Sequence, residues 1–261
     1  MPTPAAEILA KAILPTGLSS AELRDTVAPE IRRRSFFSAR TAEAEYLVKA
    51  RQVCADVAAG KIGQAKAREL LAQFLAQVGY DGVAGAPGPI TDIGSEERLN
   101  LVIDTQRDMA HSAALLEAQT PDLVARYPAW RLVRVGKRRD PRDWQARWAA
   151  AFAECGGKGC APSGEMVARK DSPVWDKIGA GAGGYRDTLG NPFPPFAFNS
   201  GIDWEDVDVD TAEGMGIDCD DVSPKGVSLA PDKADIDRVK KRLGPEALDA
   251  LKKQLAGMGL W

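Results

Sequence analysis

The sequence predicts a mainly α, α+β fold: a helical N-terminal half over residues 1–120, a small mixed α/β domain over 121–222, and a helical tail over 223–261. Three observations carry this. Up to about residue 118, apolar residues recur every three or four positions, the period of a buried helical stripe. After Thr120-Pro121 the pattern shortens into strand-like runs at 130–135 and 166–168, set among glycine- and proline-rich segments. From 231 to 257 the chain is charged and amphipathic, interrupted at Gly244-Pro245. With 261 residues, 44% of them apolar, the chain has material for a packed core.

The helices follow in order. An alanine-rich stretch over 5–13 stops near Pro15. Ser19-x-x-Glu22 reads as a capping box opening a second short helix that ends near Pro29. The run Arg32-Arg33-Arg34 suits contact with phosphate, but an exposed helix start is the plainer reading. Thr41 is the expected N-cap of the next helix, with Glu43 and Glu45 in the first turn, where the helix dipole favours negative charge. Leu47, Ala50, Cys54, Val57 and Ala58 form its apolar stripe, and Gly60 ends it. Residues 64–78 carry Leu70, Leu71, Phe74, Leu75 and Val78 on one face. These two helices are expected to pack as an antiparallel hairpin. After a loop at 79–90, Asp92 or Ser95 caps a long helix reaching about 118. Leu99, Val102, Ile103, Met109, Leu115 and Leu116 supply its buried face.

In the mixed domain, residues 130–135 are a candidate strand and Gly136 to Pro141 a basic turn. Pro141 suits the first position of a helix carrying Trp144, Trp148 and Phe152. Trp144 and Trp148, four residues apart, share a face. Residues 166–168 form a second strand, and Pro173-Val174-Trp175 leads into a glycine-rich loop. The segment 202–221 is dense in acids and reads as a solvated face. Between them, Asn191-Pro192-Phe193-Pro194-Pro195-Phe196-Ala197-Phe198 combines three prolines with three phenylalanines. Proline fixes φ and removes amide donors, so this is neither helix interior nor central strand. The aromatics still demand burial. The expected form is an extended clamp of Trp175, Phe193, Pro194, Pro195 and Phe196, followed by a turn at Asn199-Ser200-Gly201.

Composition narrows the function classes. A net charge of −3 argues against wholesale binding to nucleic acid or membrane surfaces. No apolar run reaches the ~18 residues of a membrane span. The N-terminus lacks a basic-then-apolar leader, and four cysteines in this length are no disulfide framework. Together these suggest a protein made in a reducing cytoplasm.

Residue chemistry points to no catalytic group, cofactor or metal. Gly179-Ala180-Gly181-Ala182-Gly183-Gly184 has the letters of a dinucleotide loop without the flanking strand and helix. Cys155 and Cys160 have half the spacing of a zinc site, and the other half is not evident. His111 is the single histidine and reads as a structural residue of the long helix. The acids Asp203, Glu205, Asp206, Asp208 and Asp210 lack calcium-loop spacing. The strongest interaction signal is basic: Arg131, Arg134, Lys137, Arg138, Arg139, Arg142 and Arg147, interleaved with tryptophans. These residues suit contact with a partner or DNA, or pairing with the acids of 203–221 inside the chain.

Four stretches taken together resemble the head-morphogenesis (Mu F-like minor head) proteins of tailed bacteriophages and prophages. Residues 98–110, with Arg98, Val102, Thr105 and Ala110, resemble a family helix of the type R-x-x-x-I-x-x-T-x-x-x-x-A. Trp130-Arg131-Leu132-Val133-Arg134-Val135 resembles the strand that follows. Asp140-Pro141-Arg142-Asp143 stands where the family has a D-x-R-T-like turn, and Asp143 replaces the threonine. The clamp through Gly201 resembles the terminal P-P-x-H-P-N-C-R-C-like motif, with Ala197, Ser200 and Ile202 in place of histidine and cysteines, so any metal role of that motif is absent. The resemblance covers roughly residues 31–217 and suggests a divergent prophage-type branch.

What the resemblance implies is a structural minor head protein. It would associate with the portal or major capsid protein, and with packaged DNA in some relatives, in several copies. It would assemble in the bacterial host cytoplasm and reside in the virion head. Docking would use exposed helices, with Trp144, Trp148, Phe193 and Phe196 in the core. The rival readings are an internal DNA-binding head protein and an enzyme. A metal-dependent nuclease would draw on Asp140, Asp143, Glu165 and Lys170. An ADP-ribosyltransferase-like effector would require an E-x-E pair, which occurs only at Glu43-Ala44-Glu45.

Overall fold

A computed structural model describes residues 3–80, 82, 84–136, 141–224, 226–227 and 229–231. Among them are ten α-helices and five short strands, an α+β fold that is mainly α. None of these helices is long and apolar enough to cross a membrane. The chain divides into two compact units, residues 1–114 with 228–261, and residues 115–227. The tail helix expected over 231–257 lies almost wholly outside the described residues.

The first unit begins with α1 (Pro4–Ala10), where Thr3 caps the helix and Pro4 occupies its first turn. The expected helix over 5–13 stops early: Ala12–Ile13 form β1, which pairs in parallel with β2 (Ser35–Phe36). The capping box is present on α2 (Ser20–Thr26), with Ser19 Oγ accepting from Glu22 N–H and Glu22 accepting from Ser19 N–H. Pro29 opens a further helix, α3 (Pro29–Arg33). Arg32, Arg33 and Arg34 are therefore half-buried at a helix C-terminus rather than exposed at its start. That position suits positive charge.

Thr41 is not a cap. It is fully buried and bridges to Thr16, and α4 (Ala44–Ala58) starts after Glu43 with no side-chain cap. The α4 stripe buries Leu47, Ala50 and Cys54, while Val57 and Ala58 are only half-buried. Helix α5 (Gln64–Gln77) packs on α4 through Leu71 and Leu75. Val78 falls beyond its last turn and is 50% exposed, contrary to the expected face. Helix α6 (Glu96–Glu117) is capped by Ser95, whose Oγ accepts from Arg98 N–H at 3.1 Å. Leu99, Val102, Ile103, Met109 and Leu116 are buried on it, and His111 is exposed.

The second unit adds α7 (Pro121–Arg126), β3 (Ala129–Arg134), α8 (Trp144–Glu154), β4 (Val167–Arg169), α9 (Val174–Ala180), β5 (Ile202–Val207) and α10 (Val209–Gly214). Its sheet has the order β4-β3-β5, antiparallel throughout. Two sequence expectations change here. Helix α8 starts after Asp143, whose carboxylate accepts from Ala146 N–H at 2.9 Å, so Pro141 precedes the helix. The stretch from Val174 is a helix rather than the start of a loop, ended by Gly181 in the left-handed conformation at φ 89°.

Candidate functional site

The candidate site is built around β3. Register places Trp130 opposite Asp206 and Leu132 opposite Trp204 on one sheet face, and Arg131 opposite Glu205 and Val133 opposite Asp203 on the other. Directly opposed residues share a face, and diagonal neighbours are within reach of large rings. Trp130 and Trp204 accordingly stack at 3.8 Å between centroids, 8° from parallel. The acidic segment is therefore not only a solvated face: residues 202–207 form an edge strand. Its alternation of Ile202 and Trp204 with acids was the signal for period two, masked by the surrounding charge.

An aromatic core fills the Trp130 face. Trp175 meets Trp130, Trp148 and Trp204 edge-on at 6.2, 5.5 and 5.4 Å, and lies parallel to Phe196 at 6.3 Å. Its indole N–H donates to the Arg169 carbonyl at 2.8 Å. Phe193, Phe196, Pro194 and Pro195 are buried, Phe198 is half-buried, and the peptide joining the two prolines is cis. The clamp is held by a single antiparallel bridge, Thr188 to Ala197, and by isolated hydrogen bonds from backbone and side chain rather than by a strand ladder. Leu189 N–H donates to the Phe196 carbonyl at 2.8 Å and the Asn191 amide to the Pro195 carbonyl at 3.2 Å. A β-carbon on Gly179 would strike the Asn191 carbonyl. The glycine-rich run thus lets α9 end against the clamp, which accounts for its letters without a nucleotide.

Charge is handled in two clusters. Arg142 donates through Nε to Asp187 at 2.5 Å, through Nη2 to the Phe198 carbonyl at 2.9 Å and through Nη1 to the Asn199 carbonyl at 3.3 Å. Arg147, only 7% exposed, reaches the same carboxylate at 2.8 Å and lies over the Tyr185 ring at 4.2 Å. Burial pushes the Asp187 carboxyl up, but the hydrogen bonds from Arg142 and Arg147 outweigh it and hold the group below its usual range. In the second cluster, the buried Lys170 Nζ contacts Asp206 at 2.7 Å and Gln119 at 2.8 Å, 5.0 Å from the Trp130 ring centre. Burial lowers its pKa against the raising effect of Asp206.

These contacts sort the predicted basic residues. Arg142 and Arg147 serve the interior. Arg131 pairs with Glu205 at 3.5 Å, and Arg134 is exposed, donating to the Arg142 carbonyl at 3.2 Å. Lys137, Arg138 and Arg139 lie outside the described residues. Asp187, Lys170 and Asp206 were not legible as partners, because pairs 36 to 45 residues apart leave no local spacing. The residues imagined for a nuclease have separate tasks: Asp143 caps α8, Glu165 accepts from Ser163, Lys170 joins Asp206, and Asp140 lies outside the described residues. Among the described residues no three His, Cys, Asp or Glu side chains gather as metal ligands.

The four stretches carrying the resemblance divide between the units. Residues 98–110 lie in the first, where Arg98 Nη2 donates to Ser38 Oγ at 2.7 Å, and Val102, Thr105 and Ala110 are buried. The other three meet at Arg142: Arg134 of the strand donates to its carbonyl, and its guanidinium binds the clamp carbonyls. Val135 N–H also donates to the Gly201 carbonyl at 2.9 Å. No model of a known protein family matches the chain, and no curated protein or solved structure matches it significantly.

Proposed function

We propose that this chain is a structural minor head protein of a tailed bacteriophage or prophage, associating with portal and major capsid protein during head assembly. The reading rests on the resemblance of four sequence stretches. The observation that supports it best is the convergence of three of them on Arg142, the arginine of the D-x-R-T-like turn. Strand, turn and aromatic clamp, up to 70 residues apart in sequence, are one connected structure.

In this role the chain acts by shape. The aromatic core and paired charges stiffen the second unit, and the partner meets exposed helices together with Arg134 and the end of β3. It assembles in the bacterial host cytoplasm, enters the virion in several copies, and uses no cofactor. The neighbourhood of Glu205, Asp203 and Asp206 offsets the basic strand, so DNA contact is secondary to protein contact.

The test is co-purification of the tagged protein with the portal and capsid products encoded beside it, with nuclease added. Portal recovered in a fixed ratio after nuclease treatment is the expected result. Recovery of neither, with metal-dependent DNA cleavage by the isolated chain, would overturn the proposal in favour of an enzyme.

A further inference from the structure

The loop after α8 holds two thiols that neither the fold nor the proposed function explains. Cys155 is the C-cap of α8, and Cys160 lies five residues on. Three glycines between them, Gly156, Gly157 and Gly159, have φ of 63°, 67° and 70°, a region that side chains disfavour. They curl the backbone so that Gly157 N–H donates to the Phe152 carbonyl at 2.9 Å and Cys160 N–H to the Gly157 carbonyl at 3.0 Å. The turn brings the two thiols close enough to influence each other. Each also points at a carbonyl, Cys155 Sγ at Phe152 O in the last turn of α8 (3.4 Å) and Cys160 Sγ at Lys158 O in the loop (3.7 Å).

Their environments differ. Cys155 is half-buried and reachable, whereas Cys160 is 5% exposed and touches Ser172 Oγ at 3.6 Å. Burial pushes the Cys160 thiol up to about 12, so it is no first target for an oxidant. Cys54 is wholly buried in the first unit. The half-buried Cys219 points its Sγ at the Ile217 carbonyl at 3.5 Å.

We propose that Cys155 and Cys160 are a reversible oxidation site that closes an intrachain disulfide across the glycine loop. With a peroxide as oxidant, the Cys155 sulfur attacks the O–O bond and becomes a sulfenic acid, releasing water from hydrogen peroxide. The Cys160 sulfur then attacks the Cys155 sulfur and loses its proton, and the sulfenic oxygen leaves as a second water. Reduction by a small dithiol returns both thiols and oxidises the dithiol to its cyclic disulfide. The bond would link the end of α8 to residues 159–161, which pair with β4 through Ala161 N–H to the Val167 carbonyl at 3.0 Å. The inference does not depend on the head-protein reading.

The experiment treats the full chain with hydrogen peroxide, blocks remaining thiols under denaturing conditions, and analyses tryptic peptides. Trypsin cuts after Lys158, so the peptides bearing Cys155 and Cys160 stay together only if a disulfide joins them. The expected result is that linked pair, two of the four thiols lost, and both recovered with dithiothreitol. In C160S, dimedone should trap Cys155 as sulfenic acid, and in C155S Cys160 should stay reduced over the same time. No cross-link, a link from either residue to Cys219 or to a second chain, or oxidation of Cys155 to sulfinic acid without a link would overturn the proposal.

Discussion

The two units bury positive charge by opposite means. In the first, the fully buried Lys11 offers its Nζ to a neutral amide, Gln106 Oε1, at 2.7 Å. Glu7, in the preceding helix α1, accepts from the Leu229 N–H at 2.9 Å. Burial outweighs the favourable charge of Glu7 and lowers the Lys11 pKa to about 7. In the second unit, Arg147 has both a carboxylate and an aromatic face, and so does Lys170. A buried cation given only a neutral acceptor sheds its proton near neutrality, whereas one given an acid and a ring ties its stability to that acid.

The largest effect expected from breaking this contrast comes from the aromatic side. Trp175→Ala removes the ring common to four aromatic contacts and should cost about 3–5 kcal/mol, read by denaturant unfolding. Tryptophan near-UV dichroism should collapse with it, since the five described tryptophans all lie in the second unit. Leu71→Ala, in the first unit, should lower stability while leaving that signal unchanged in the folded protein.

Asp187→Ala comes next. Removing the partner of a buried charge costs about 3–5 kcal/mol. Asp187 is itself 41% exposed, so solvent screening reduces the expectation to roughly 2–3 kcal/mol. The pH dependence has a definite sign. The folded carboxyl titrates below its unfolded value of 3.8, so its contribution is present above that pH and lost as pH falls through the folded value. Wild type and variant should therefore converge in acid, as followed by thermal unfolding between pH 6 and pH 2.

Lys11→Met should stabilise. A shift from 10.5 to about 7 corresponds to several kcal/mol at ~1.4 kcal/mol per pH unit, and the orphaned Gln106 amide returns about 1–3 of this. The net gain at pH 7 is about 1–3 kcal/mol. Because the unfolded lysine binds a proton that the folded one lacks, wild-type stability rises with pH between 7 and 10.5. The advantage of the variant should fade over that window, which a pH series of melting temperatures would show. Smallest is Ser19→Ala, which breaks the capping box and should cost about 1 kcal/mol.

The same contrast sets what could be read from the sequence. The first unit is held by helices whose apolar periods are local, so α4, α5 and α6 were legible to within a few residues, as was the Ser19 capping box. Its misread positions are those where tertiary pairing overrode propensity: Thr41 went to a bridge with Thr16, and Ala12–Ile13 to a strand. In the second unit β3, β4 and the burial of the clamp were visible from Trp130, Val167 and the Pro-Phe run. Strand β5 was hidden because its acids resemble a solvated segment until Arg131 and Trp130 are seen opposite them. Helix α9 was hidden because its last turn, Gly179-Ala180, is made of residues that usually mark loops. The Arg142–Asp187 pair had no local signature at all.

The most direct test of the central claim is mass spectrometry of purified, DNA-filled phage heads from a host carrying this gene with its neighbours, after nuclease and salt washing. The account predicts this chain in the heads at a constant ratio to portal protein. It also predicts loss of the chain from heads built with Arg142→Ala, the substitution that unties strand, turn and clamp. Heads that are complete and infectious without a trace of the chain would contradict it.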